Sequence, residues 1–146
     1  MLENSPVNRA EKLVSAYVNK NWAELWSLVS SKIVYDEPAT RRKTHGIKRF
    51  MSIMQEWGAA FPDSKITVKG KKIFGNTVTF DLHWTGTHDG LIDTPGGMIL
   101  PTGKKIDLPA SMVVEVGEDS VESVTHNFDM ATMEAQIELL PEEKIA

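Results

Sequence analysis

The sequence predicts a single α+β domain in which helices come first and antiparallel strands follow. Before residue 62, apolar residues recur every three or four positions, the spacing of helices that bury one face. After residue 65, apolar and polar residues alternate, which is the pattern of half-buried strands. The 146 residues suit one domain, with residues 141–146 as a frayed tail. We expect the helices to cover one face of a curved sheet and to leave an interior pocket.

Three helices are predicted in the first half of the chain. Ser5 is the expected N-cap of the first, with Pro6 in its first turn, and Asn21 caps the second. The third helix has the strongest apolar stripe of the chain and ends at Pro62, because proline cannot continue a helix. That stripe consists of Ile47, Phe50, Met51, Met54, Trp57 and Phe61.

The strands are predicted over residues 33–35 and 66–129, and a short helix over residues 131–140 ends the fold. The most regular alternation lies in Gly75–Gly90, where the apolar set passes Trp84 and ends in His88. A buried face that turns polar at one end is typical of a pocket wall. The glycine- and proline-rich residues 89–103 are predicted to be a loop that acts as a lid.

The composition restricts the possible functions. The net charge of −4 and the lack of a long basic run argue against a nucleic-acid partner. The chain has no cysteine, so it offers no thiolate nucleophile and no sulfur ligand for a metal. No histidine pair or carboxylate triad has metal-ligand spacing, so a metal is not expected. Because no signal peptide or long apolar run is visible, we expect a cytoplasmic protein that binds no membrane.

Several segments together resemble the SnoaL-like polyketide cyclases of the NTF2-like superfamily. They keep the family's order and spacing from about residue 7 to residue 137. The resemblance implies a cone-shaped α+β barrel and intramolecular aldol ring closure without a metal or cofactor. The matching segments are YDEP (Tyr35–Pro38), HGIKRFM (His45–Met51), AFPD (Ala60–Asp63), TGTHDG (Thr85–Gly90) and LPTGKKIDLP (Leu100–Pro109).

The resemblance implies that Asp129, at the end of the last strand, is the catalytic acid/base. A carboxylate inside an apolar cone would have its pKa raised toward the range where it exchanges a proton with a carbon acid. The alternative is structural, because Asp129 also precedes the last predicted helix and aspartate is a preferred N-cap. One departure from the family lies nearby, where residues 123–125 replace a Glu-His-Trp-like run, so the substrate cannot be carried over.

His88 is the second catalytic candidate, because an imidazole that titrates near neutrality can hold or polarise a substrate carbonyl. Its alternative role is to brace the loop that follows it. In a straight last strand, Asn127 shares the face of Asp129 and His126 lies on the other face. Asn127 therefore ranks above His126 as a substrate-binding neighbour, unless a β-bulge reverses the faces.

Further substrate-binding candidates are placed on the pocket wall, at its rim and on the helices. Each has a structural alternative, since residues at helical spacing are usually core and an aspartate before proline usually forms a turn. These candidates are Trp84, Asp36, Tyr17, Trp26, Met54 and Trp57.

The predicted function is a cyclase or isomerase that acts by cofactor-independent acid/base catalysis, of the intramolecular aldol type, on a small carbonyl compound. One alternative is a non-catalytic binder of a small apolar ligand. Another is an epoxide or ester hydrolase on the same scaffold. Val124, Phe128 and Met130, expected on the outer face of the sheet, suit a homodimer interface.

Overall fold

The computed structural model describes residues 5–137 and confirms the predicted α+β class; the predicted tail at 141–146 lies outside those residues. The helices are α1 (Pro6–Val18), α2 (Trp22–Leu28), α3 (Ile47–Ala60) and α4 (Met130–Gln136). The strands are β1 (Val29–Glu37), β2 (Arg42–His45), β3 (Lys65–Phe74), β4 (Thr77–Thr87), β5 (Ile92–Thr94), β6 (Gly97–Ile99), β7 (Lys105–Val116) and β8 (Val121–Phe128).

Six strands form one curved, open sheet in the order β2-β1-β8-β7-β4-β3. Neighbouring strands are antiparallel except β1 and β8, which are parallel. The sheet is therefore mixed at this one pair, whereas the sequence predicted antiparallel strands throughout. A short connection forces antiparallel pairing, but β1 and β8 are separated by most of the chain, so no turn signal fixes their direction.

The helices begin where the sequence predicted. The Ser5 hydroxyl accepts a hydrogen bond from the Asn8 amide at 3.1 Å, and Pro6 occupies the first position of α1. The Asn21 side chain accepts from the Glu24 amide at 3.3 Å at the start of α2. Within residues 5–137, no helix is both long and apolar enough to cross a membrane.

Two short elements lie where the sequence predicted only loop. β2 consists of Arg42, Lys43, Thr44 and His45 and carries no apolar residue, so the alternation pattern could not reveal it. Backbone pairing with β1 forms this strand. The predicted lid loop contains the hairpin β5–β6, whose Ile92 and Ile99 are buried.

The core lies between the helices and the inner face of the sheet, which is defined by the apolar residues of β4 and β7. β8 turns Val124, His126 and Phe128 toward this core, while Asn127 lies on the outer face beside Ser111. Met130 also packs against the core. The prediction that Val124, Phe128 and Met130 form an outer dimer surface is therefore wrong, because apolar side chains of a half-buried strand pack inward.

Candidate functional site

Asp129 lies on the protein surface at the start of α4. One of its carboxylate oxygens accepts a hydrogen bond from the Ala131 amide at 3.0 Å, and the other accepts from the Thr132 hydroxyl at 2.9 Å. This is the geometry of an N-cap. The expectation that Asp129 faces an interior pocket is wrong, because the chain leaves β8 before this residue and turns its side chain to the helix start.

His88 lies fully buried just beyond β4, on the inner side of the sheet. Its Nδ1 is 3.0 Å from the hydroxyl oxygen of Thr102, and its Nε2 has no hydrogen-bond partner within residues 5–137. Burial lowers the pKa of His88, while the Gly90 backbone and the Asp89 charge oppose that shift. The imidazole is therefore neutral near pH 7.

The protonated nitrogen of His88 follows from its contact with Thr102. The Thr102 hydroxyl oxygen already accepts a hydrogen bond from the Lys104 amide at 3.2 Å. Its own hydrogen is then available to donate to His88 Nδ1. With that donation, the imidazole proton lies on Nε2, for which no hydrogen-bond partner occurs within residues 5–137.

Trp84 is buried on the inner face of β4, and its indole Nε1 also has no partner in the described part of the chain. Its ring contacts Trp57, Phe61 and Phe128 at centroid distances of 5.3, 5.2 and 5.5 Å. We call Trp57, Phe61, Trp84 and Phe128 the aromatic wall. The ring of His88 lies 5.7 Å from that of Phe61, so both unpartnered nitrogens border this wall.

The structure reverses the predicted ranking of Asn127 and His126. His126 is buried on the inner face, with its ring 5.9 Å from Trp84. Asn127 is half-buried on the outer face, where its amide donates to the Ser111 hydroxyl at 3.4 Å. The prediction failed because it assigned the two faces of β8 by assuming that Asp129 points inward, and Asp129 lies outside the strand.

Some of the substrate-binding candidates on the helices and at the rim face the interior, and others do not. Tyr17, Met54 and Trp57 are buried in the core, whereas Trp26 is 47% exposed and does not line the interior. Asp36 lies on the face of β1 opposite to the buried side chains and is only half-buried. The inward-facing carboxylate of this strand belongs to the next residue.

That residue is Glu37, which the sequence analysis did not single out, and its side chain is completely buried. One carboxylate oxygen accepts hydrogen bonds from Tyr35 and, at 2.7 Å, from the Trp57 indole. The other accepts from Thr40 and, at 3.0 and 3.1 Å, from the Arg42 guanidinium. The alternation of Ile33, Tyr35 and Glu37 on one face of β1 was the available sequence signal.

Glu37 is ionised in the folded protein. Burial by itself would raise the pKa of its carboxyl, but His126, Arg42 and the Thr40 hydrogen bond outweigh this and lower the pKa to about 2. A buried charge requires such pairing to be tolerated. Since donors occupy both oxygens, Glu37 orients its neighbours and does not itself accept a proton near pH 7.

His126 connects this carboxylate with the aromatic wall. Its Nδ1 lies 3.3 Å from the Tyr35 hydroxyl oxygen and 3.9 Å from Glu37. We call Tyr35, Glu37 and His126 the interior polar cluster. Burial, followed by the charge of Glu37, raises the pKa of Tyr17, which therefore borders the same cluster as a neutral phenol.

Two clefts lined by described residues differ in their distance from this region. One of about 370 Å³ separates α1 from β3 and β4 and is lined by residues such as Val14, Ile66 and Phe80. A water-sized cavity of about 10 Å³ lies beside Arg42 and Trp57. An interior pocket at His88 and Trp84 remains a prediction. Within residues 5–137, no group of three or more histidine or carboxylate side chains is placed to hold a metal ion.

Solved structures share this fold closely. IdmH from Streptomyces antibioticus, a proposed polyketide cyclase, is 22% identical, with 92% of this chain and 99% of IdmH covered at a TM-score of 0.75. A protein with a ketosteroid isomerase-like fold from Catenulispora acidiphila, solved with trimethylamine, is 15% identical, with 92% and 95% covered and a TM-score of 0.74. At these identities the likeness concerns the fold.

No curated protein is significantly similar in sequence to this chain. The family model described as SnoaL-like polyketide cyclase matches residues 8–137, which is nearly the whole of the described structure. This family and fold support a function of the cyclase or isomerase type. The chain belongs to the SnoaL-like polyketide cyclase family.

Proposed function

We propose that the protein catalyses a cofactor-independent cyclisation or isomerisation of a small carbonyl compound by acid/base chemistry at the aromatic wall. His126 is the proposed proton acceptor, and Trp84 and His88 are the proposed donors to the substrate oxygen. Asp129 has no part in this proposal, because its carboxylate caps a surface helix.

The observation that carries the proposal is a pair of buried nitrogens, Trp84 Nε1 and His88 Nε2, that have no hydrogen-bond partner among residues 5–137. Buried polar groups in proteins nearly always have a partner, because an unmet hydrogen bond costs about 1–3 kcal/mol. Two such donors beside one aromatic ring suit a carbonyl oxygen of a bound ligand. They would hold the negative charge that develops on this oxygen when a proton leaves the neighbouring carbon.

His126 suits the role of base because it is buried beside the same wall and its Nδ1 side is already engaged with Tyr35. In the proposed reaction, Nε2 takes the proton from the carbon next to the carbonyl, and the electron pair of that bond forms an enolate. The enolate carbon then attacks a second carbonyl of the same molecule and closes a ring, and the alkoxide formed from that carbonyl takes the proton back from His126 Nε2. In an isomerisation, the enolate instead regains this proton at another carbon. Acid/base catalysis of this kind typically contributes ~10²–10⁴-fold.

The hairpin β5–β6 is the proposed lid over this interior. Ile92 and Ile99 bury their side chains in the core, while the flanking Leu91 and Leu100 are about half exposed. The base of the loop is fixed by backbone hydrogen bonds from His88 to Lys104 and from Gly103 to His88, both 2.8 Å. Movement of the hairpin on this base would admit a substrate to His88.

Proton abstraction can be measured without knowing the natural substrate. Wild-type protein in D₂O is incubated with a panel of benzylic ketones that carry an acidic α-C–H bond, such as 2-tetralone, and deuterium incorporation is followed by NMR. We expect wild type to accelerate exchange of at least one ketone above buffer, and His126→Gln to lose that acceleration. His83→Gln is the matched control, since His83 pairs with Asp107 on the outer face. Exchange at the buffer rate with every ketone would contradict the proposal.

The donor role has its own test. Trp84→Phe keeps an aromatic ring in the wall but removes the N–H group together with part of the indole ring, so the KM for the exchanging ketone should rise at least about 2- to 10-fold, the value of one hydrogen bond. Trp26→Phe removes the same group from an exposed ring and should leave KM unchanged. Equal effects of the two changes would remove Trp84 from the site.

The same unpartnered nitrogens would also serve a protein that only binds a carbonyl ligand. The two functions differ at His126. A binder keeps its affinity after His126→Gln and shows no exchange in either form, whereas the proposed catalyst loses turnover.

We also propose a homodimer through the outer face of the sheet, formed by other residues than the sequence predicted. The middle of that face carries the half-buried Thr79, Val113 and Thr125, which are aligned across β4, β7 and β8. Gel filtration at micromolar concentration should give a dimer, and Val113→Lys should give a monomer because it buries an unpaired charge. A wild-type monomer would contradict this interface.

A further inference from the structure

We propose that Glu37 is a positioning residue that acts through Tyr35 to hold His126 in the tautomer protonated at Nδ1. This inference rests on the proposed function for its catalytic meaning, while the arrangement it describes can be measured by itself. In this tautomer Nε2 is unprotonated and can take a proton from a substrate. Free histidine favours the opposite tautomer, so the protein must supply the preference.

The first step is that Glu37 can only accept hydrogen bonds. Its carboxylate is fully buried and faces the Arg42 guanidinium at 3.0 and 3.1 Å. The Arg42 charge and the Thr40 hydrogen bond both lower its pKa against the effect of burial, and neither depends on the protonation of His126. An ionised carboxylate has no proton to donate.

The second step follows from the single hydrogen of the Tyr35 hydroxyl. Tyr35 is a neutral phenol, because burial and then the charge of Glu37 raise its pKa. Its hydroxyl contacts both Glu37 and His126 Nδ1, the latter at 3.3 Å. Since Glu37 only accepts, the Tyr35 hydrogen is donated to Glu37. The Tyr35 oxygen is then left as an acceptor toward His126.

The third step assigns the imidazole proton. A neutral histidine has one protonated and one bare ring nitrogen. Because the Tyr35 oxygen can only accept at this position, the hydrogen bond requires a proton on His126 Nδ1. Nε2 is therefore bare, and the ring lies 5.9 Å from the ring of Trp84 in the aromatic wall.

The surroundings of Glu37 make this arrangement rigid. The Trp57 indole donates to it at 2.7 Å from α3, and Arg42 also pairs with Glu56 of that helix at 2.9 Å. The Arg42 guanidinium lies 5.9 Å from the centre of a Trp57 ring. Helix α3 and strands β1 and β2 thus hold the carboxylate that accepts the Tyr35 hydrogen.

The test is ¹⁵N NMR of protein labelled at its histidines, at a pH where His126 is neutral. His126→Gln assigns the His126 signals among the four histidines of the chain. We expect wild type to show a protonated Nδ1 and a bare Nε2 at His126. Tyr35→Phe removes only the bridging oxygen and keeps the edge-on contact with Phe50, so it should fold and shift His126 toward the tautomer protonated at Nε2.

Glu37→Gln is the second variant, with near-UV circular dichroism to verify its fold. An amide at this position can donate to Tyr35, which releases the Tyr35 hydrogen to Nδ1 and should also favour protonation at Nε2. In the exchange assay, Tyr35→Phe should lower kcat on the order of tenfold or more with little change in KM, because the base is misoriented while the donors remain.

A His126 protonated at Nε2 in wild type would overturn the inference, and so would a tautomer that Tyr35→Phe leaves unchanged. The proposed function fails separately. If the expected tautomer is found but no ketone exchanges, the positioning role of Glu37 is supported and the proposed catalysis is contradicted. If ketones exchange through His126 in the other tautomer, only the role of Glu37 falls.

Discussion

Glu37 carries a carboxylate that is completely buried in the core. Glu37 would be strongly disfavoured in the core by itself, and Tyr35, Thr40, Arg42 and Trp57 together make it tolerable. Removing one partner of a buried ion pair usually destabilises a protein by ~3–5 kcal/mol, because the other charge is left without compensation.

The pH dependence of stability reports the charge of Glu37. Its pKa is about 2 in the folded protein and near the ordinary 4.5 in the unfolded chain. A lowered folded-state pKa stabilises the protein above pH ~4.5, and this contribution is lost as the pH falls toward ~2. We expect wild type to lose roughly 3 kcal/mol more than Glu37→Gln over this range, measured by urea unfolding. Parallel pH profiles for the two proteins would show that Glu37 is not ionised.

Asp129 offers the opposite case, a residue whose family position suggested chemistry and whose contacts indicate a cap. Asp129→Ala should lower the free energy of unfolding by about 1 kcal/mol, since alanine cannot accept from the Ala131 amide. Asp129→Asn should change it little, because asparagine is an equally good N-cap. Thermal unfolding of both variants measures the difference. An unchanged stability in Asp129→Ala would argue against the cap.

At the scale of elements, the base of the proposed lid is in close contact with α3. The amides of Asp89 and Gly90 donate to the Ala60 carbonyl at 2.8 and 3.1 Å. A Cβ on Gly90 would lie 2.9 Å from the Ala59 carbonyl carbon and closer still to its oxygen. Glycine is required here because the two backbones touch.

Gly90→Ala should therefore destabilise the protein by about 1–3 kcal/mol and loosen the hairpin, which limited proteolysis would detect as earlier cleavage within residues 91–100. Gly96→Ala in the same loop is the control, since its added Cβ would come no nearer than 3.8 Å to Thr94. Equal cleavage of the two variants would show that this contact does not hold the lid.

The end of the sheet shows why sequence patterns that locate elements do not reveal all the contacts between them. Gln136 of α4 exchanges two hydrogen bonds of 2.6 Å with the backbone of Asp107, where β7 extends beyond its pairing with β8. The sequence revealed the helix but not this contact, because a surface glutamine has no characteristic spacing. β2 was missed for a similar reason, since it has backbone pairing without an apolar face.

For the whole molecule, periodicity was sufficient for the α+β class and for the inward faces of β4 and β7, and the capping residues were sufficient for the starts of α1 and α2. The buried positions of His88 and Trp84 followed from the same alternation. The face of β8 was misassigned because an inward Asp129 was given more weight than the apolar Val124 and Phe128. Glu37 was missed because a buried charge depends on partners from distant segments, which no local pattern shows.

In the proposed mechanism, proton transfer takes place at His126 in the interior and not at Asp129 on the surface. Deuterium incorporation into the responsive ketone, measured side by side for wild type, His126→Gln and Asp129→Asn, tests it directly. We predict a loss of ~10²–10⁴-fold for His126→Gln and a rate within about twofold of wild type for Asp129→Asn. The reverse pattern, with Asp129→Asn inactive and His126→Gln active, would contradict the account.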